Sequence, residues 1–144
     1  MLTVVTKRVY DLPDPSDGVR VLVDRLWPRG LAKEQASADE WLRDLAPSDG
    51  LRRWYHSHPD QWAGFRAKYL EELSLPGAQS ALKRIYQLAS KRKRLTLLFA
   101  SKDVNHNNAT VLKELLDGLR KPPIGTGPGA ISGMRRRAAP ARRR

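Results

Sequence analysis

Cysteine is absent from the 144 residues, which excludes disulfides, thiolate metal ligands and a cysteine nucleophile. Any chemistry must rest on His, carboxylates, Lys, Arg or hydroxyls. Missing too is any stretch approaching the roughly 20 apolar residues that span a bilayer. The N-terminus, Met1-Leu2-Thr3-Val4-Val5-Thr6-Lys7-Arg8, has a short apolar run followed by charge, not the apolar segment and small-residue cleavage site of a secretory signal. A cytoplasmic protein with no membrane partner is the expectation. Carboxylates are absent from the last stretch of the chain. Eight of the 27 basic residues and none of the 15 acidic ones follow Gly118, so the formal charge of +12 belongs largely to the tail.

What is present is the composition of a folded protein: 40% hydrophobic residues, with four Trp and four Tyr. The length suits one domain with a real core. Residues 1–119 read as a single α/β domain and residues 120–144 as a disordered Pro/Gly/Arg-rich basic tail, with Arg135-Arg136-Arg137 and a terminal Arg142-Arg143-Arg144. No internal repeat is visible.

Thr3 to Tyr10 and Val19 to Leu26 read as strands, separated by Asp11-Leu12-Pro13-Asp14-Pro15-Ser16-Asp17-Gly18, a segment dense in turn formers. Val19, Val21 and Val23 give the second strand one wholly apolar face, as in a central strand. Ser37-Ala38-Asp39-Glu40 fits a capping box and predicts a short helix carrying Trp41, Leu42 and Leu45 up to Ala46-Pro47. Ser48 reads as the next N-cap, ahead of Leu51, Trp54 and Tyr55. Pro59 suits the first turn of a helix bearing Trp62, Phe65, Tyr69, Leu70 and Leu73, which Leu75-Pro76-Gly77 breaks. A further amphipathic helix runs from Ala78 through Ala89 and closes on Lys91-Arg92-Lys93-Arg94, cations that complement its dipole. Leu95 to Ala100 is a buried strand, and the last helix carries Ala109, Leu112, Leu115, Leu116 and Leu119.

Strands interspersed with helices predict a three-layer α/β fold, with helices packed on a small, mostly parallel sheet. The link from Tyr10 to Val19 is short for a parallel crossover, which normally takes a dozen or more residues. Either the crossover is unusually tight or the two strands run antiparallel.

In open α/β sheets ligands collect outside the carboxyl ends of the strands. That rule selects Asp24-Arg25-Leu26-Trp27-Pro28-Arg29-Gly30 after the second strand and Ser101-Lys102-Asp103-Val104-Asn105-His106-Asn107-Asn108 after the last. Pro28 and Gly30 frame a stiff, sharp exit that displays Arg25 and Arg29 beside the carboxylate of Asp24, with Trp27 between them. Two guanidiniums in such a place make a receptor for a phosphate or carboxylate. The alternative is that Asp24 pairs with an arginine internally while Trp27 plugs the core. In the second segment Lys102, Asp103, Asn105 and Asn107 offer ligand contacts, and Asn or Asp there equally suit a helix cap. His106 is the candidate general acid or base, against a role as a cap or surface residue.

His56-Ser57-His58 places two imidazoles two residues apart, a spacing that does not face one way on a helix, so no metal site is read there. No motif implies a cofactor. Three of the four Trp fall on apolar stripes, which favours core packing over base stacking.

The run Lys7-Arg8-Val9-Tyr10, the ungapped Asp17 to Leu31, then Trp41, Ala46-Pro47-Ser48, Leu51-Arg52, Trp54, Phe65-Arg66, Tyr69, Glu72-Leu73 and Thr96 to Asp103 with His106-Asn107 resembles the YeaO-like branch of the domain-of-unknown-function 488 family. The resemblance covers nearly all of residues 5–119. It implies a compact three-layer α/β protein with parallel strands, hence the tight crossover. More distant members carry a Cys-His-Arg cluster around the stretch that here reads Phe99 to Asn108. This chain lacks both the Cys and the Arg, so no thiol-based role transfers.

Three readings follow. The favoured one is a site for an anionic small molecule held among Arg25, Arg29, Lys102 and the His106 loop. The second is a module that binds nucleic acid nonspecifically, or an acidic partner, through the tail and Lys91 to Arg94. The third is an interaction protein without a ligand.

Overall fold

A computed structural model describes residues 3–92 and 94–120 of the chain, the side chains of Arg92, Leu119 and Arg120 excepted. Its core is a four-stranded sheet made of β1 (Thr3–Arg8), β2 (Val19–Leu22), β3 (Glu40–Trp41) and β4 (Arg94–Phe99). The strand order is β1-β4-β2-β3, and every pairing is parallel. The helices are α1 (Lys33–Ala36), α2 (Asp49–Ser57), α3 (Trp62–Leu73), α4 (Pro76–Arg92) and α5 (Asn108–Arg120).

Alternation along the strands builds two faces. Val4, Val19, Val21, Leu95, Leu97 and Phe99 point to one side, where they meet Leu51 of α2, Phe65, Tyr69 and Leu73 of α3, Ile85 of α4 and Leu112 and Leu116 of α5. Each of these large side chains, fully buried, contributes about 1.5–3 kcal/mol. Leu22, Leu98 and Val9 point to the other side, against Ala36 of α1, with Trp27, Leu31 and Trp41 packed around them. The three layers are therefore unequal: four helices cover one face, and one turn of helix with two loops covers the other. All four Trp pack against these two clusters.

The thin layer is held by charge. Lys7, Arg20 and Thr96 share the second face, and the Arg20 guanidinium donates to Asp17 (2.5 Å), Ala36 O (2.7 Å) and Ser37 O (2.9 Å). Asp17 also accepts from Lys7 Nζ at 3.1 Å, and its carbonyl accepts from the Thr96 hydroxyl at 2.7 Å.

The two predicted orientations of the Tyr10–Val19 link resolve in favour of parallel strands. β4 lies between β1 and β2, so the link need not make a neighbouring crossover. It returns along the sheet through a 3-10 turn, Pro15–Asp17, capped by Asp14. Gly18 ends that turn at φ 69°, and a Cβ on it would stand 2.3 Å from Arg94 O. Gly18→Ala therefore meets both a disfavoured φ and a backbone clash, and urea denaturation is expected to show a loss of about 1–3 kcal/mol.

Four sequence expectations are corrected. Ser37 does not open a helix: it closes α1 at φ 48°, and its supposed capping box is an edge strand instead. The Asp39 carboxylate accepts from Arg20 N (2.9 Å) while Asp39 N donates to Arg20 O (2.7 Å), and Leu42 N donates to Leu22 O. Pairing with β2 thus overrides the capping signal, and a 3-10 turn, Arg43–Leu45, follows. Strand β2 ends at Leu22 rather than Leu26, because Asp24 O is taken by Trp41 Nε1 (2.7 Å). Strand β1 likewise ends at Arg8, where Asp11 N turns back to Arg8 O. Pro59 precedes α3, in a turn that Gln61 N closes on His58 O. The Ser48 cap is as read, accepting from Leu51 N. No described helix is long and apolar enough to cross a membrane. The basic tail from residue 121 onward, and the expectation of disorder attached to it, lie outside the described residues.

Candidate functional site

A parallel sheet brings all its carboxyl ends to one edge, and the loops after adjacent strands β2 and β4 meet there. Between them and α2 opens a cleft of about 700 Å³, within the usual range for small-molecule sites. Asp24, Arg25, Trp27, Arg29, Lys102, Asp103, His106 and Asn107 all line it; of the predicted site residues only Asn105 does not. Tyr10, Arg52, Tyr55, His56 and Asn108 line it as well, none of them among the expected ligand contacts. The three from α2 reach the site from a helix whose apolar stripe alone is visible in the sequence. Asn108 was hidden in an Asn-rich run.

Asp24 sits at the junction of the two loops. One carboxylate oxygen accepts from Ala100 N (2.9 Å) and the other from Asn108 Nδ2 (3.0 Å), while Asn108 Nδ2 also donates to Val23 O (2.8 Å). Asp24 therefore pairs with no arginine, and among the described residues it has no cationic partner. Burial pushes its carboxyl above the usual range, and the two hydrogen bonds only partly offset this.

That shift has a definite sign. A carboxyl whose folded pKa exceeds its unfolded one binds extra protons in the native state, so its contribution to stability falls as pH rises from about 4 through the folded pKa. Asp24→Asn removes this term. The stability of the variant relative to wild type is expected to improve over that window in urea denaturation followed by pH; a constant gap would contradict it.

Arg25 donates through Nε to Pro47 O at 3.2 Å; its terminal nitrogens make no hydrogen bond or close ion pair among the described residues, although its charge is felt by Asp49. It is half-buried, so its position is fixed while its fork stays unspent. Arg29 is exposed, and its carbonyl accepts from the Tyr10 hydroxyl at 2.9 Å. Trp27 donates to Leu31 O (2.6 Å) and meets Trp41 edge-on at 5.4 Å, so it both plugs the second cluster and walls the cleft. Arg52 is exposed and pairs with Asp49 at 2.7 Å.

The loop after β4 is built on caps. Asp103 accepts from Asn105 N and His106 N, both at 3.0 Å, and these bonds hold its carboxyl below the usual range. Asn107 is the N-cap of α5: its side chain accepts from Thr110 N (3.1 Å) and donates to Asp103 O (2.8 Å). His106 lies over Trp62 with ring centres 4.7 Å apart, and its Nδ1 is 3.8 Å from Asp103. Both members of that pair are about half exposed, where such contacts contribute little. His56 lines the cleft, whereas His58 turns away to stack on Trp54 and contact Trp54 O at 2.8 Å. Among the described residues no group of three His, Asp or Glu could hold a metal ion.

A family model described as "Inactive DUF488-N3 subclade" matches residues 3–121. The uncharacterized protein YeaO of Escherichia coli (strain K12) is 42% identical over 118 residues, 82% of this chain and 100% of the relative. Uncharacterized proteins of Mycobacterium tuberculosis (strain ATCC 25618 / H37Rv) and Mycobacterium bovis are each 40% identical over 111 residues, 77% of this chain and 91% of theirs. No solved structure matches the chain.

Proposed function

The chain belongs to the DUF488 family, in the subclade described as inactive, and from that premise we propose that it is a binding protein for a phosphate- or carboxylate-bearing small molecule. The observation that carries this reading is Arg25, a half-buried residue that lines a cleft of ligand size, its guanidinium steadied by one carbonyl and bonded to no carboxylate among the described residues. A planar fork held this way is shaped for a two-oxygen anion. Arg29 and Lys102 add positive charge around the rim, beside Asp103 and an Arg52 already paired with Asp49, where solvent screens it.

Binding without turnover agrees with the chemistry of the lining. His106 and Asp103 are exposed and weakly coupled, and the chain has no cysteine. The word "inactive" in the subclade description points the same way.

A ligand that binds only the folded cleft stabilises it by RT ln(1 + [L]/Kd), about 2.7 kcal/mol at a hundredfold excess over Kd. Thermal unfolding of the full chain with rising concentrations of phosphate- and carboxylate-bearing compounds is expected to show a saturating rise in Tm, lost in Arg25→Gln. A rise that is equal in both proteins would place the anion elsewhere.

A further inference from the structure

The cleft is not uniformly cationic, and this limits what can fill it. Its exposed rim carries Arg29, Arg52 and Lys102 beside Asp103, while the half-buried Asp24 carboxylate has no cationic partner among the described residues. A bare anion drawn in by Arg25 meets a carboxylate that repels it. An anion whose far end offers N–H donors meets instead two oxygens with lone pairs to spare, since each accepts only one bond from the protein.

Aromatic rings line the same cleft. Tyr55 lies 4.4 Å from Phe65, with 24° between the ring planes, and both line the cleft with Trp27 and Tyr10. The Tyr55 hydroxyl makes no hydrogen bond among the described residues, and the ring is half exposed. A flat, π-rich surface beside a cationic rim suits a planar heterocycle that carries a phosphate.

We propose, resting on the anion-binding reading above, that the cleft takes a nucleoside monophosphate: phosphate on Arg25, base against Tyr55, and an N–H edge of the base on Asp24. Guanine fits the acceptor best, because its N1–H and 2-amino group present two adjacent donors to one carboxylate. Asp24 is then the residue that determines specificity, and Arg25 supplies affinity common to any phosphate.

The test is calorimetric titration of the full chain with inorganic phosphate, ribose 5-phosphate and GMP. GMP is expected to bind at least about tenfold more tightly than ribose 5-phosphate, within the range that base–aromatic stacking contributes. In Tyr55→Leu that margin shrinks while ribose 5-phosphate binds as before. In Asp24→Asn ribose 5-phosphate binds at least as well, since a repelling charge is gone, and GMP binds more weakly. Equal affinity of wild-type protein for GMP and ribose 5-phosphate overturns the nucleotide assignment and leaves the anion site standing. Failure of all three compounds to bind overturns both. The wild-type comparison is independent of whether either variant folds.

Discussion

Asp17→Ala is expected to lower stability by about 3–5 kcal/mol, the cost of stranding one member of a buried ion pair. Arg20 is 5% exposed, and its guanidinium is fixed by Ala36 O and Ser37 O as well as by Asp17. Deleting the carboxylate leaves that cation buried with neutral acceptors alone. It also releases Lys7 and the Asp14 amide, which donates to Asp17 at 3.0 Å. For a domain of this size the loss corresponds to roughly 10–20 °C in Tm.

The pH dependence supplies a check. Burial alone would raise the Asp17 carboxyl, but bonds from the Asp14 amide, Lys7 and Arg20 outweigh it and hold the group below its ordinary range. Its stabilising contribution is thus present above the unfolded pKa, about 3.9, and is lost as pH falls through the folded one. The difference between wild type and Asp17→Ala should be full at pH 7 and shrink below about pH 4. The double variant Asp17→Leu with Arg20→Met should recover much of the loss, because an apolar pair leaves no stranded charge. A double variant no more stable than the single one would mean that the network is not acting as a pair.

The largest functional effect belongs to Arg25→Gln. Hydrogen bonds to a charged group contribute about 1.5–3 kcal/mol, so affinity for a phosphate-bearing compound should fall by about 10- to 100-fold. Stability should change little, since Arg25 makes one long bond to Pro47 and is only half-buried. Arg25→Lys should fall between the two, keeping charge and losing the fork. Lys102→Ala and Arg29→Ala should cost less than Arg25→Gln, because both are exposed and screened. Titration calorimetry of the four variants orders them; a loss in Lys102→Ala equal to that in Arg25→Gln would show a diffuse rim in place of one receptor.

The parts of this molecule that sequence reveals are those where one residue type has one role. Leu95 to Phe99 is apolar but for Thr96 because β4 is covered on both faces, and Asp24 to Gly30 follows a strand in an all-parallel sheet, which places it at the carboxyl edge. Arg20 was less legible. A charged residue in a strand reads as facing solvent, and only Asp17, three residues away around a turn, reveals that it faces inward. The two-residue strand β3 was unreadable because its signals were dual: Ser37, Asp39 and Glu40 suit a cap, yet Asp39 and Leu42 spend their amides on β2. In the site, Tyr55, His56 and Arg52 were lost because α2 docks over the cleft through long-range contacts that no local pattern encodes. Asn108 shows the same limit at one-residue scale: its neighbour Asn107 takes the cap, freeing Asn108 to reach Asp24.

Amide chemical shifts distinguish the cleft from the basic tail, since both carry cationic side chains. On adding inorganic phosphate or GMP to the isotope-labelled full chain, saturable shifts are expected at residues 25–30 and 101–108 in the wild type and not in Arg25→Gln. Shifts confined to residues 121–144, and unchanged by that substitution, would contradict a binding site in the cleft.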